Sequence, residues 1–344
     1  MINRQLFMTH EIKNLIEHIW TAQQQNLKSV LATVVALEGS SYRRPGVRML
    51  IQENGKTFGA VSGGCVEKEV VLQAQSVLES DVPKIMTYDG RYRLGCEGII
   101  FILIEPVKLS EELKIQFETV LKKRIDFHSE TFFTREEQSN IAFGTQFLFS
   151  GNSFSLRDNF EAPSEKMSCF RQTFEPLFQL YLFGAEHDTV CLCKTASDLG
   201  WQVTVVASAD EAKTISFFEG AHQFISTTID SLDVSAVDSQ TAILLMTHSF
   251  NKDVQYLLAL ANTRSAYFGI LGPKHRRERV IEKALDFNSE LSIDFLERLH
   301  GPAGINIGAE SAQEIAISIL AEILAVVRKQ NPMQLKEKKG SIHE

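Results

Sequence analysis

Long apolar runs are missing from this 344-residue chain. Its two most hydrophobic stretches are GIIFILIEPV, from Gly98, and IAISILAEILAVV, from Ile315. The first is about half the length of a membrane span and the second is interrupted by Glu322, so no membrane span is expected. The opening MINRQLFMTHEIKNLIEHIW sets acids and bases at helical spacing and has no continuous apolar core, so it does not read as a signal peptide. The expected location is the cytoplasm. Cysteine is also scarce: five in the whole chain, an odd number that speaks for reduced thiols and against a disulfide framework. Positive charge is in deficit, with 35 Lys+Arg against 43 Asp+Glu and a net charge of −8, so a surface that binds nucleic acid is excluded as the general case. What remains is ordinary globular composition, 44% apolar and 23% charged, with length for two or three domains.

The apolar spacing predicts an amphipathic helix over 12–25, carrying Ile12, Leu15, Ile16 and Ile19 on one face. A buried strand is predicted over 29–37, and a hairpin about Asn54-Gly55 joins VRMLIQ to KTFGAV. After Val61 the chain turns helical, with Val66, Val70, Ala74 and Val77 on one stripe, and a strand follows over 99–104. A polar helix is predicted over 108–124. Aromatic-rich alternating segments at 127–134, 145–150 and 167–174 then predict an antiparallel meander, with Gly151-Asn152 as a turn. Past Pro176 the rhythm becomes strand–helix–strand, with strands at 179–183, 202–206 and 242–246 and helices at 189–199 and near 211–219. That alternation implies a parallel sheet covered by helices. The last helix starts after Ser311, where Glu314 completes a capping box. The fold class is therefore α/β: an N-terminal α+β domain over 1–176, a Rossmann-like doubly wound parallel sheet over 177–330, and a polar, flexible tail over 331–344. There is no internal repeat.

Two glycine-rich turns carry most of the chemistry. In GAVSGGCVE a strand ends in Gly63-Gly64 and a helix begins at or just after Cys65. Glycines allow close backbone approach, first-turn amides point outward, and the helix dipole lowers the pKa of a thiol placed there. Arg43, Arg44 and Arg48, on the neighbouring strand–turn–strand, have fork-shaped donors suited to a phosphate or other oxyanion. A tight turn with a buried cysteine beside a solvated basic loop fits the same residues. Glu67 reads either as a helix-dipole partner or as a functional acid, and Cys96 in RLGCEG either as a second reactive thiol or as an inert one. Cys191 and Cys193 fall on a helix, where i and i+2 diverge, so they are not expected to hold a metal together.

The second turn, in LYLFGAEHD, sits where a dinucleotide fingerprint would. Gly184 is present, but Glu186 replaces the glycine that would approach a diphosphate, and Ala207-Ser208 stand where the ribose-binding acid is expected. NAD(P) is accordingly not expected in the ordinary mode. Thr247-His248 follow a strand at the sheet's ligand-binding end, with Asp253 close in sequence. His248 reads as an acid/base or ligand-binding residue or as a hydrogen-bonded loop histidine. The basic run KHRRER from Lys274 reads as a local anion site or a solvated helix face.

Taken together, LATVVALEGSSYRRPG, GAVSGGCVE, LGCEGIIFILIEP, LYLFGAEHD…DLGWQVTVV, LLMTHSFNKDVQYL, YFGILGPKHRRE and GPAGINIGAESAQEIAISILAEI resemble the XdhC/CoxI family in order and over most of the chain. These are accessory proteins of xanthine dehydrogenase and related molybdenum hydroxylases. The resemblance implies a chaperone more than an enzyme, with no catalytic residue. It would carry the molybdenum cofactor (molybdopterin) as cargo, support its sulfuration by a cysteine desulfurase, and insert it into the apo-dehydrogenase. It also implies a homodimer. Gly63, Gly64, Cys65 and Glu67 fit the family's GGCxE and Cys96 its second cysteine, although Glu97 replaces a glycine that normally follows. Cys65 would contact the molybdenum through the cofactor, and Arg43 or Arg44 would grip the pterin phosphate. Gly184, His187 and His248 are further candidates for cofactor binding; the family's GAGH is GAEH here. Two alternatives from other classes are an NAD(P)-dependent oxidoreductase using the Rossmann domain and His248, and a divergent adaptor that binds no cofactor.

Overall fold

The structure, a computed structural model, describes residues 9–39, 44–62, 64, 66–90, 98–158, 160 and 167–340. The chain divides into two units, Met1–Pro176 and Leu177–Glu344.

The first unit opens with α1 (Thr9–Gln24), which buries Ile12, Leu15, Ile16, Ile19 and Ala22 along one stripe. Then come β1 (Ser29–Gly39), β2 (Arg48–Gln52), β3 (Thr57–Gly59), α2 (Glu67–Ser80), β4 (Lys84–Asp89) and β5 (Gly98–Val107). They form a five-stranded sheet in the order β3-β2-β1-β5-β4. The hairpin forms about Asn54-Gly55, pairing Leu50 with Phe58, and Gly55 takes the positive φ of +84° that such a turn demands. Strand β4 is not signalled by the sequence. It is a six-residue edge strand that buries Ile85, Met86 and Tyr88, and only three residues separate it from α2. One face of the sheet packs Val30, Ala32, Val34 and Ile102 against Val70, Ala74 and Val77 of α2. The other face carries Leu31 and Leu50 into a cluster with α1, with α3 (Glu111–Lys123), and with Phe127, Phe147, Phe149 and Phe174.

Those phenylalanines belong to a second, four-stranded antiparallel sheet: β6 (Phe127–Phe133), β7 (Gly144–Phe149), β8 (Asn152–Ser155) and β9 (Ser168–Phe174), ordered β8-β7-β6-β9. The three expected strands are present but do not make a simple meander: β9 pairs with β6 and not with β7, and β8 lies on the free side of β7 beyond a Ser150–Gly151 turn, one residue before the expected Gly151-Asn152. Buried polar side chains link the two sheets. Arg48 donates to Gln172 Oε1 at 2.8 Å and to Gly46 O at 2.9 Å. Glu105 accepts from Thr145 N at 2.8 Å and from its hydroxyl at 2.5 Å. Burial pushes Arg48 down to about 10, against the pull of Glu105, and pushes Glu105 up despite the Thr145 hydrogen bonds. Arg48 is thus a cross-sheet link, 5% exposed, and not the phosphate fork its place in the sequence suggests.

The second unit contains β10 (Gln179–Phe183), α4 (His187–Asp198), β11 (Gln202–Ser208), β12 (Ala221–Thr227), β13 (Thr241–Leu245), α5 (Phe250–Leu260), β14 (Tyr267–Ile270), α6 (Lys274–Phe287), α7 (Ile293–Glu297), β15 (Leu299–His300) and α8 (Ala312–Val327). The sheet runs β12-β11-β10-β13-β14-β15 with every pair parallel, which is the 3-2-1-4-5-6 order of the doubly wound dinucleotide fold. Strand β13 is buried along its whole length, as its unbroken apolar run requires. One expectation fails: the segment near Glu211–Glu219 holds only a single 3-10 turn at Ile215–Phe217. Its apolar residues, Ile215, Phe217 and Phe218, lie too close together to make a helical stripe, and only Phe218 is buried. The capping box at the start of α8 forms: Ser311 accepts from Glu314 N, and the Glu314 carboxylate accepts from Ser311 N. No helix among the described residues is long and apolar enough to cross a membrane.

Candidate ligand sites

Strand β3 delivers the chain to the first glycine turn. A side chain at Gly59 would meet Arg48 O at 2.5 Å, so only glycine lets β3 close on β2 there. The turn itself is organised by Glu67, the first residue of α2. One carboxylate oxygen accepts from Ser62 N at 2.7 Å and the other from the Ser62 hydroxyl at 2.8 Å. Ser62 Oγ in turn accepts from Gly64 N at 3.3 Å and Val66 N at 3.4 Å. Partial burial pushes the Glu67 carboxyl up, but the hydrogen bonds from Ser62 outweigh it and hold the group below the usual carboxylate range. Glu67 therefore braces the segment that precedes its own helix while standing in that helix's first turn. Ser62 is the partner of Glu67 that sequence reading did not single out. Gly64 is exposed with φ +125°, and open space surrounds the position of a Cβ. Arg44 is half-buried. Gly63, Cys65, Arg43 and Cys96 lie outside the described residues.

In the second unit Gly184 ends β10 with φ +127°, and a Cβ there would strike Met246 O at 2.6 Å. Its backbone lies against the end of β13, at the switch point of the sheet. Glu186 is the N-cap of α4, and His187 is the exposed first helical residue. Beyond β13, Thr247 and Asp253 build a buried anchor. Asp253, whose side chain is 1% exposed, accepts from the Thr247 hydroxyl at 2.6 Å and from Arg276 at 2.6 Å and 3.2 Å. His248, between them in sequence, is exposed with φ +54°, in the left-handed region. A cleft of about 390 Å³ opens here, and Asp188, His248 and Arg276 all line it. The basic run of α6 is thus neither a free anion site nor a wholly solvated face. Arg276 is held by Asp253, and Arg277 donates to the carbonyls of Leu299 and Leu296.

Lys252 donates to Ser208 at the end of β11 at 2.9 Å and lies 4.0 Å from Asp210. The position of the ribose-binding acid is therefore filled by a Lys–Ser–Asp cluster. Cys191 and Cys193 lie on α4. Cys193 is buried, its thiol donates to Glu219 O at 3.7 Å, and burial pushes it up to about 11. No cluster of three or more metal-ligating side chains occurs among the described residues.

The strand order and the two glycine turns define a two-unit protein that joins a GGC-bearing α+β unit to a Rossmann unit. Residues 180–323 match the XdhC Rossmann domain, and residues 22–89 match the XdhC and CoxI family. The chain belongs to the XdhC and CoxI family. It is 29% identical over 316 residues to a probable xanthine dehydrogenase subunit of Bacillus subtilis (strain 168), covering 86% of this chain and 92% of that protein. To the molybdenum cofactor insertion chaperone PaoD of Escherichia coli (strain K12) it is 22% identical over 331 residues, covering 94% and 91%. A crystal structure described as a xanthine dehydrogenase from Bacillus halodurans superposes with a TM-score of 0.77 at 28% identity, over 92% of this chain and 96% of that one.

Proposed function

We propose that this protein is a maturation factor for a molybdenum hydroxylase such as xanthine dehydrogenase, carrying the molybdenum cofactor as its cargo. It holds the cofactor while a cysteine desulfurase supplies the terminal sulfido ligand, delivers it to the apo-enzyme, and works as a homodimer in the cytoplasm. The observation that carries this reading is the pair of hydrogen bonds from Ser62 to Glu67 at the start of α2, in a chain similar to a named molybdenum cofactor insertion chaperone. In this reading Cys65 meets the molybdenum–dithiolene unit, Gly63 and Gly64 allow its close approach, Cys96 is a second thiol for the cargo, and Arg43 and Arg44 grip the pterin phosphate. Gly184, His187 and His248 offer a further surface in the second unit. Glu186 at the N-cap of α4 and Asp188 in its first turn oppose a diphosphate in the ordinary Rossmann mode and count against a nicotinamide enzyme. Expression in a cofactor-producing host tests the proposal. The purified protein should carry molybdenum and releasable pterin, and Cys65→Ala should lose both.

A further inference from the structure

Helix α8 is apolar on two faces. Its inward face buries Ala316, Ile319, Leu320 and Ile323. The charged residues within the helix are Glu314, in the first turn, and Glu322. Glu322 is turned into the fold, where its carboxylate accepts from the Tyr267 hydroxyl at 2.6 Å and from Gly304 N at 2.8 Å, with His300 Nδ1 at 3.2 Å. The outward face is therefore left without a charge between its two ends. It carries Glu314, Ile317, Ala321, Leu324 and Arg328, separated by three and four residues in turn, which is the a/d spacing of a helix–helix seam. Ile317 is 55% exposed, and Ala321 and Leu324 are half-buried. Exposed apolar side chains aligned in this way mark a contact surface more than scattered ones do.

The ends of the seam select what covers it. Glu314 stands at one end and Arg328, the C-cap of α8, at the other, and both are exposed. The cap engages one oxygen of Glu314: Oε2 accepts from Glu310 N at 2.8 Å and from Ser311 N at 3.0 Å. The other oxygen is left for a cation. A surface that meets its own copy across a two-fold axis must be self-complementary, and this one is. With the axis at Ala321, an antiparallel pair of α8 helices sets Glu314 of each copy opposite Arg328 of the other, and Ile317 opposite Leu324. The small side chain of Ala321 lets the helices approach closely where they cross, and their dipoles oppose. A parallel pair would set Glu314 against Glu314. We propose that the outward face of α8 is a dimer interface, covered by the same helix of a second copy running antiparallel across Ala321. This interface rests on the homodimer of the function proposed above and gives it a surface.

Sedimentation velocity of the full chain over a concentration series tests it. Wild type should reach a dimer. Ile317→Lys should weaken dimerisation at least tenfold with an unchanged circular dichroism spectrum, while Leu72→Lys, at an exposed site on α2, should leave it intact. Cross-linking tests the direction of the helices. Ile317→Cys and Leu324→Cys chains, mixed and mildly oxidised, should form a covalent dimer beyond the wild-type level, and neither should do so alone. Linking of each variant with itself, or no link in the mixture, would overturn the antiparallel pair. A dimer that survives Ile317→Lys, or that Leu72→Lys dissolves instead, would overturn the interface and leave the homodimer standing. A monomeric wild type would overturn both. If that monomer bound an apo-hydroxylase and Ile317→Lys did not, the face would belong to that partner and the second copy would be excluded. Molybdenum and pterin content of wild type reports on the cargo separately.

Discussion

Glu67 shows how a residue of a motif also holds the local backbone, through its hydrogen bonds with Ser62. Both its oxygens accept from Ser62, so it contributes to the shape of the turn. Its folded-state pKa lies below the ordinary 4.5, so the stabilisation it gives is complete above that value and is lost as the pH falls through the depressed one. Denaturant titrations between pH 7 and pH 3 should show this acid-dependent loss in wild type and a smaller loss in Glu67→Gln. Equal pH slopes in the two proteins would refute the brace. Glu67→Ala should cost about 1–2 kcal/mol at neutral pH, since it leaves Ser62 N without its acceptor. Asp253 is the second residue whose role is positional. Asp253→Ala strands Arg276 and Thr247, and breaking a buried pair costs about 3–5 kcal/mol. Arg276 keeps 22% of its side chain in water, so the lower end is expected in equilibrium unfolding.

At the level of elements, helices and strands with strong periodicity were legible. The α1 stripe, the Asn54-Gly55 hairpin, the phenylalanine-rich strands β6, β7 and β9 (though not their order) and the Ser311 capping box all follow from spacing. The elements that were not legible include the short edge strands β4, β8, β12 and β15, and also the interior strand β14 and helices α5 and α7. An edge strand buries only part of its side chains, so polar residues such as Lys84, Thr87, His222 and Gln223 blur its alternation, and hydrogen bonding to a neighbour distant in sequence defines it. The expected helix near Glu211–Glu219 failed for a related reason: β11 and β12 are adjacent parallel strands that this chain connects with a turn and loop, where alternation suggested a helix. The α8 cap gives an element-scale prediction. Ser311→Ala removes the acceptor for Glu314 N and should lower stability by about 1 kcal/mol, read as a shift in the denaturation midpoint at unchanged m-value. No shift would mean that packing of Ala316, Ile319, Leu320 and Ile323 alone sets the helix start.

On the scale of the whole molecule, the acidic net charge conceals arginines with structural partners. Arg48 links two sheets, Arg276 is paired with Asp253, and Arg277 caps backbone carbonyls. Sequence reading located these basic turns correctly but could not see their partners, because Gln172, Asp253 and Leu299 lie between 22 and 124 residues away along the chain. The glycine turns were legible because a positive φ and a close backbone approach leave glycine as the residue that fits. Ser62 was not, because a serine in a loop carries no such signature. The central claim, that the chain carries the molybdenum cofactor at the turn before α2, is tested most directly by the metal and pterin content of the full-length protein isolated from a cofactor-producing host. The account predicts molybdenum and releasable pterin in wild type and neither in Cys65→Ala. Wild type without either, or Cys65→Ala with the full content of both, would contradict it.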